Sequence, residues 1–282
     1  MLRQLEEVFY PESLEDAVRK KAQYGDAAAP IAGGTDLVAE PPPGLRCLID
    51  ITRLGLDFIE EEAQQVRIGA TATMQQVSTS ATVASVAGGL ICSSTCEGWP
   101  RQVRNAATIG GNLAGAGPFA DTPPVMLALD ARAIVAGPNG DTIVPMAEFF
   151  LDYRKTAVGA GILREIVIPR PKIGTRGVFL KFGRTQVDKA LVNAAVLIHM
   201  VEGRCQGARI ALGAVGRIPR RISQAEAILI DQPLDRQLIE RTAELVKELV
   251  DPVLDYRASA DYRREISGVL VKRALTQLAL AC

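Results

Sequence analysis

Asn105 to Asp121 reads NAATIGGNLAGAGPFAD, and no other stretch of the chain gathers so many residues suited to close backbone approach. Gly110 and Gly111 lack a Cβ, so the backbone there is free to take positive φ and to turn successive N–H groups toward an anion such as a pyrophosphate. Thr108 and Asn112 flank the pair with a hydroxyl and an amide, and Gly115, Ala116 and Gly117 keep the loop thin. Asp121 ends it with a carboxylate before Pro123 and Pro124. A helix is expected to begin there with Thr122 as N-cap, since proline is tolerated in a first helical turn. A glycine-rich segment can equally be a plain turn between strands, so the reading depends on what accompanies it.

A second loop accompanies it. Pro30 to Leu37 reads PIAGGTDL, again an apolar run, a glycine pair at Gly33-Gly34, a hydroxyl at Thr35 and a carboxylate at Asp36. Two glycine pairs, each beside a threonine, are suited to holding the two ends of a diphosphate from opposite sides. Neither loop has P-loop or Rossmann spacing, so such a site belongs to another fold.

The chain has 282 residues, enough for two or three subdomains. Apolar residues make up 48% and charged residues 23%, a globular composition. Lys plus Arg and Asp plus Glu are both 32, so no charge excess favours nucleic acid or an anionic membrane. The start, MLRQLEEVFYPES, has no apolar core of a signal peptide and no run of 18 apolar residues occurs, which points to a cytoplasmic protein without a membrane span. Five scattered cysteines without a CxxC pair argue against a disulfide framework or a metal knuckle. With a single histidine, His199, in the apolar run VLIHMV, a Ser-His-Asp triad or multi-histidine metal site is hard to build. The chemistry is thereby moved onto a bound cofactor, with no catalytic or metal-ligating side chain assigned.

Patterning predicts an α+β chain in three units. In residues 1–56, Ser13 and Asp16 begin a helix that runs to Gly25, and strands follow at Ala28–Ala32 and Leu45–Ile51. Residues 57–175 carry a strand at Val66–Ile68, a helix from Met74 capped by Thr71 or Thr73, and a helix at Pro123–Leu129. The same unit has a hairpin across Pro138-Asn139-Gly140 and a strand at Ile162–Ile168. Residues 176–282 read as three antiparallel strands, at Val178–Phe182, Ala194–Val201 and Ala208–Val215, followed by three helices.

The two loops, with D-x-P-P at Asp121, YRKT at Tyr153–Thr156, K-x-x-R-x-x-x-D at Lys181, Arg184 and Asp188, and RASADYRR at Arg257–Arg264, resemble the FAD-binding medium subunits of the molybdenum hydroxylases over nearly the whole chain. The resemblance implies a two-subdomain, PCMH-like FAD-binding fold followed by a three-stranded antiparallel sheet with a helical bundle. It implies FAD held by Ile31, Ala32, Gly33, Gly34, Thr35, Asp36 and Leu37 on one side. Thr108, Ile109, Gly110, Gly111, Asn112 and Gly115 hold it on the other. Asp121 is then a carboxylate near the cofactor, Leu163 packs near a ring, and Lys181 and Asp188 stand beside the isoalloxazine, where a cation stabilises reduced flavin. Trp99 either packs beside the flavin or fills core. The implied function is electron transfer from a 2Fe-2S small subunit through FAD to NAD or another acceptor. A molybdopterin-binding large subunit completes a heterohexameric complex. A flavin-free structural subunit and a free-standing flavin oxidase are the alternatives.

Overall fold

The computed structural model describes residues 4–96 and 99–281; Cys282 and the first three residues of the N-terminal stretch lie outside them. Ser13 caps the helix Leu14–Tyr24 by accepting a hydrogen bond from the Asp16 N–H at 3.1 Å, and Gly25 closes it at φ +56°. The helix covers a parallel three-stranded sheet made of β1 (Glu7–Phe9), β2 (Ala28–Ile31) and β3 (Cys47–Asp50), in the order β1-β3-β2. β1 is an addition to the expected order, because a three-residue strand carries no readable alternation. Ala17 and Val18 pack on Cys47 and Ile49, and the same small core takes in Ala136 and Ile162 of the next unit.

The next unit holds β4 (Ile59–Glu61), β5 (Gln65–Gly69), β6 (Arg132–Gly137), β7 (Gly140–Pro145), the small hairpin β8 (Phe150–Asp152) and β9 (Lys155–Thr156), and β10 (Ile162–Pro169). Its main sheet runs β4-β5-β10-β6-β7, antiparallel throughout. Ala133 and Val135 point into a large core under short helices, whereas Ala136 faces the first unit. This is the alternation expected of strand side chains. A bulge between Leu163 and Glu165 lets both Leu163 and Ile166 enter the large core, although they stand three residues apart.

The third unit is a sheet of β11 (Thr175–Phe182), β12 (Val192–Val201), β13 (Arg204–Gly213) and β14 (Arg220–Arg221), antiparallel and in that order. It therefore has four strands, not the expected three, since the last is only two basic residues long. One face, with Ala195, Leu197 and Ala211, packs into the large core. The other face, with Ala194, Val196 and Ile210, is covered by the helices Ser223–Ala227, Arg236–Leu249 and Ala260–Ala281. A strand covered on both faces reads as a continuous apolar run, as β12 does.

Candidate flavin site

The chain leaves β2 into the first glycine loop. A Cβ on Gly33 would lie 1.7 Å from the Ala106 carbonyl oxygen, so only glycine lets this loop touch the backbone that leads into the second stretch. Gly34 takes φ +67°, and the turn is closed by Val38 N–H to Gly34 O at 3.1 Å and Glu40 N–H to Asp36 O at 2.9 Å. Among the described residues, the main-chain N–H groups of Gly33, Gly34, Thr35 and Asp36 donate to nothing in the protein. Successive free donors in a tight turn form a concave anion-binding surface.

The second stretch differs from its expected form. Gly110 and Gly111 are helical, within Ile109–Ala114, and neither has positive φ; within the stretch that conformation falls on Ala116, at φ 43°. Their N–H groups are consumed, Gly110 donating to Ala70 O at 3.0 Å and Gly111 to Thr108 Oγ1 at 3.1 Å. Ile109 N–H goes to Ala72 O at 3.0 Å. The glycines are needed for packing: a Cβ on Gly110 would meet Ala70 O at 2.5 Å and Ala70 Cβ at 2.6 Å. What this stretch offers a ligand is side-chain chemistry. The Thr108 hydroxyl accepts from Gly111 and keeps its own proton to donate. Asn112 Oδ1 accepts from Thr122 Oγ1 at 2.6 Å, which leaves the amino end of the amide as the donor. Thr122 is therefore an orienting partner of Asn112. The N-cap position belongs to Asp121, which makes no capping bond.

The two loops meet a second time at Gly115, where a Cβ would lie 3.3 Å from Asp36 Oδ2. Arg154, in the turn of the β8–β9 hairpin at φ +54°, stands 3.6 Å from Asp36 and is ion-paired with Glu40. The YRKT segment thus clasps the first loop. Between the loops lies a cleft of ≈ 370 Å³, with Ala32 and Gly33 on one wall and Thr71, Thr73, Asn105 and Thr108 on the other. Asn105 carried no signal in the sequence beyond its place at the start of the glycine-rich stretch, and Thr71 was legible only as an alternative cap for the helix from Met74, a role the structure gives to Thr73. Thr73 was legible only as a helix cap, and it does form a full capping box with Gln76.

Of the expected site residues, Ala32, Gly33 and Thr108 line this cleft; the other expected residues of both loops, and Asp121, Leu163, Lys181 and Asp188, do not. Asp121 and Lys181 come together away from its walls. The Asp121 carboxylate, buried at 2% exposure, accepts from Lys181 Nζ at 2.8 Å, Asn193 Nδ2 at 2.8 Å and Trp99 Nε1 at 3.0 Å. Burial pushes its pKa up, while the Lys181 ammonium and the other donors pull it down. Asn193 reaches it because its pairing partner is Gly213, where a Cβ would lie 2.2 Å from Asn193 Oδ1. Trp99 is half-buried and serves as a donor to this pair. Asp188 pairs instead with Arg184 at 3.3 Å, and Leu163 is buried in the large core.

The RASADYRR motif also ends on the glycine stretch: Arg257 and Arg263 stand 4.3 and 5.3 Å from the Phe119 ring centre. The Arg263 guanidinium, 1% exposed, donates to Leu191 O at 2.6 Å and Asp255 Oδ1 at 2.7 Å. The stretch is thereby anchored at its far end by two buried ionic clusters.

Two glycine loops pressed together between α+β units, followed by a sheet-and-helix unit, are matched in order along the chain by two flavoprotein families. The FAD binding domain in molybdopterin dehydrogenase matches residues 3–171, and the CO dehydrogenase flavoprotein C-terminal domain matches residues 178–278. The chain belongs to this family of FAD-binding, electron-transferring subunits of molybdenum hydroxylases.

Among particular proteins, it is 33% identical to the 6-hydroxypseudooxynicotine dehydrogenase complex subunit alpha of Paenarthrobacter nicotinovorans, over 94% of this chain and 92% of that one. It is 32% identical to the carbon monoxide dehydrogenase medium chain of Afipia carboxidovorans, over 94% and 93%. A solved structure of carbon monoxide dehydrogenase from Hydrogenophaga pseudoflava superposes with a TM-score of 0.95 at 31% identity, covering 100% of both chains.

Proposed function

We propose that the chain is the medium subunit of a cytoplasmic molybdenum hydroxylase, assembled with a molybdopterin-binding large subunit and a 2Fe-2S small subunit in a heterohexamer. Its electron acceptor is NAD or another diffusible carrier, and its units divide at 1–56, 57–175 and 176–282. When bound, FAD supplies reversible redox chemistry between the iron–sulfur partner and the acceptor. The observation that carries the reading is the run of unspent N–H groups at Gly33–Asp36, which begins at Gly33, in contact with Ala106 and on the wall of the cleft. A side chain at Gly33 would run into the Ala106 main chain and part the loops, and the free N–H groups suit a diphosphate.

In this proposal the first loop, Ile31 to Leu37, binds the diphosphate through its main chain. Thr108 donates from the opposite wall and Asn112 from the helix that Thr108 caps, while Ile109, Gly110, Gly111 and Gly115 hold that side at the right separation. Asp121 and Lys181, joined in one buried pair, act by fixing the end of the second stretch, not by presenting free charge. Leu163 acts from the core beneath, and Asp188 from the exposed turn after β11. No side chain is assigned a proton transfer, because substrate chemistry belongs to the large subunit.

Reconstitution of the purified chain with FAD tests the site: a flavin spectrum at about one flavin per chain is expected, and no binding either alone or in complex refutes it. Size-exclusion chromatography of the native complex tests the partners. Elution with molybdenum and iron–sulfur absorbance is expected, and elution as a bare monomer refutes the assembly.

A further inference from the structure

We infer that Thr71 is a further ligand-binding residue of the cleft, its hydroxyl donating a hydrogen bond to an oxygen of the bound dinucleotide's diphosphate. The inference rests on the FAD reading above and adds a residue that neither glycine loop contains. Thr71 follows β5 with only Ala70 between, lines the cleft beside Thr108 and Gly33, and is 6% exposed. Its Oγ1 is buried with no hydrogen-bond partner among the described residues. The other threonines on the cleft wall are all engaged. Thr52 Oγ1 donates to Asp50 Oδ1 at 2.6 Å, Thr73 Oγ1 donates to Gln76 Oε1 at 2.8 Å, and Thr108 Oγ1 accepts from Gly111 N–H at 3.1 Å.

A buried hydroxyl without a partner is a net cost to folding, and valine would fill the same volume without that cost. Packing therefore does not explain a threonine here, whereas a ligand oxygen does. The position is also rigid, as a binding residue must be. Ala70 N–H donates to Arg164 O at 2.9 Å, Thr71 N–H donates to Leu56 O at 2.8 Å, and the Ala70 carbonyl receives Gly110 N–H at 3.0 Å. That last bond ties the backbone beside Thr71 to the second stretch, and Thr71 lines the cleft together with residues of both loops. A single donor there complements the main-chain donors of Gly33–Asp36, and a doubly anionic diphosphate is the part of the cofactor that uses donors from both walls.

The test is titration of FAD, ADP and riboflavin into the flavin-free full chain and into the native complex, for wild type, Thr71→Val and Thr71→Ser, with melting of the ligand-free proteins alongside. ADP carries the diphosphate without the flavin ring, and riboflavin carries the ring without phosphate. The expected result is about tenfold weaker binding of both FAD and ADP to Thr71→Val. Riboflavin binding is unchanged, Thr71→Ser stays near wild type, and the ligand-free valine variant melts no lower than wild type. Equal FAD and ADP affinity in wild type and Thr71→Val overturns the inference. So does a loss confined to riboflavin, or a ligand-free valine variant that melts lower, which marks a structural hydroxyl. If wild type binds neither FAD nor ADP, the flavin reading itself fails and takes this inference with it.

Discussion

Gly33-Gly34 and Gly110-Gly111 look interchangeable in the sequence, AGGTDL against TIGGNL, yet they do opposite things. The first pair turns the chain, with positive φ at Gly34, and leaves a row of N–H groups unspent. The second pair is helical, spends its N–H groups on Ala70 and Thr108, and lets one backbone lie on another. A glycine pair announces close approach but not what approaches. The deciding quantity is whether the donors freed by the missing side chains are consumed by the protein or kept for a ligand. The first loop should therefore fail in binding when altered, and the second in folding.

The largest separation is expected at the anchored end of the second stretch. Lys181→Met strands the Asp121 carboxylate at 2% exposure and should cost about 3–5 kcal/mol in urea unfolding. Adding Asp121→Asn should recover most of that, and a single variant as stable as wild type would break the picture of an anchored stretch. Next is Gly33→Ala, whose methyl collides with the Ala106 carbonyl and parts the loops. The loss of two charge-assisted donors predicts about a hundredfold weaker FAD binding by fluorescence titration, with a smaller effect on melting.

Gly110→Ala should show the reverse. Overpacking against Ala70 costs about 1–3 kcal/mol of ligand-free stability, and any loss of FAD follows from that. If it instead melts like wild type and fails only to bind, the two pairs are not different in kind. Thr122→Val is a finer probe: freeing the Asn112 amide should weaken FAD binding by about 1 kcal/mol, read calorimetrically.

The smallest effect is a pH dependence at the other anchor. Burial would raise the Asp255 carboxyl, but the Arg257 N–H and the Arg263 guanidinium outweigh it and hold its pKa below the ordinary 3.8. Its stabilisation is therefore present above that value and lost as pH falls through the lower folded-state pKa. Wild type and Asp255→Asn should differ in melting temperature at neutral pH and converge below about pH 4. Because Arg263 also stacks on Phe119, the second stretch should loosen in acid while the first loop does not. A constant gap down to pH 2 would remove this carboxylate from the account.

The local elements were legible where local chemistry sets them. Ser13 caps its helix, and the β6–β7 hairpin turns across Pro138-Asn139 as the composition indicates. Also legible was the sheet-and-helix texture after Gly177. β1 and β14 were not, because strands of two or three residues are made by their neighbours and carry no period of their own. Thr122 was misread as a cap because its partner Asn112 is ten residues earlier, beyond any local capping pattern.

The sequence by itself determined where glycine and threonine make close approach possible, and its family motifs determined the cofactor. Only the tertiary structure decided which donors remain free, that Asp121 and Lys181 neutralise each other, and that Thr71 lines the cleft with a buried hydroxyl lacking a partner. The physical reason is that a residue's type states what it can donate, accept or pack. Whether that capacity is already spent depends on groups brought beside it from 60 residues away, as for Lys181 and Asp121.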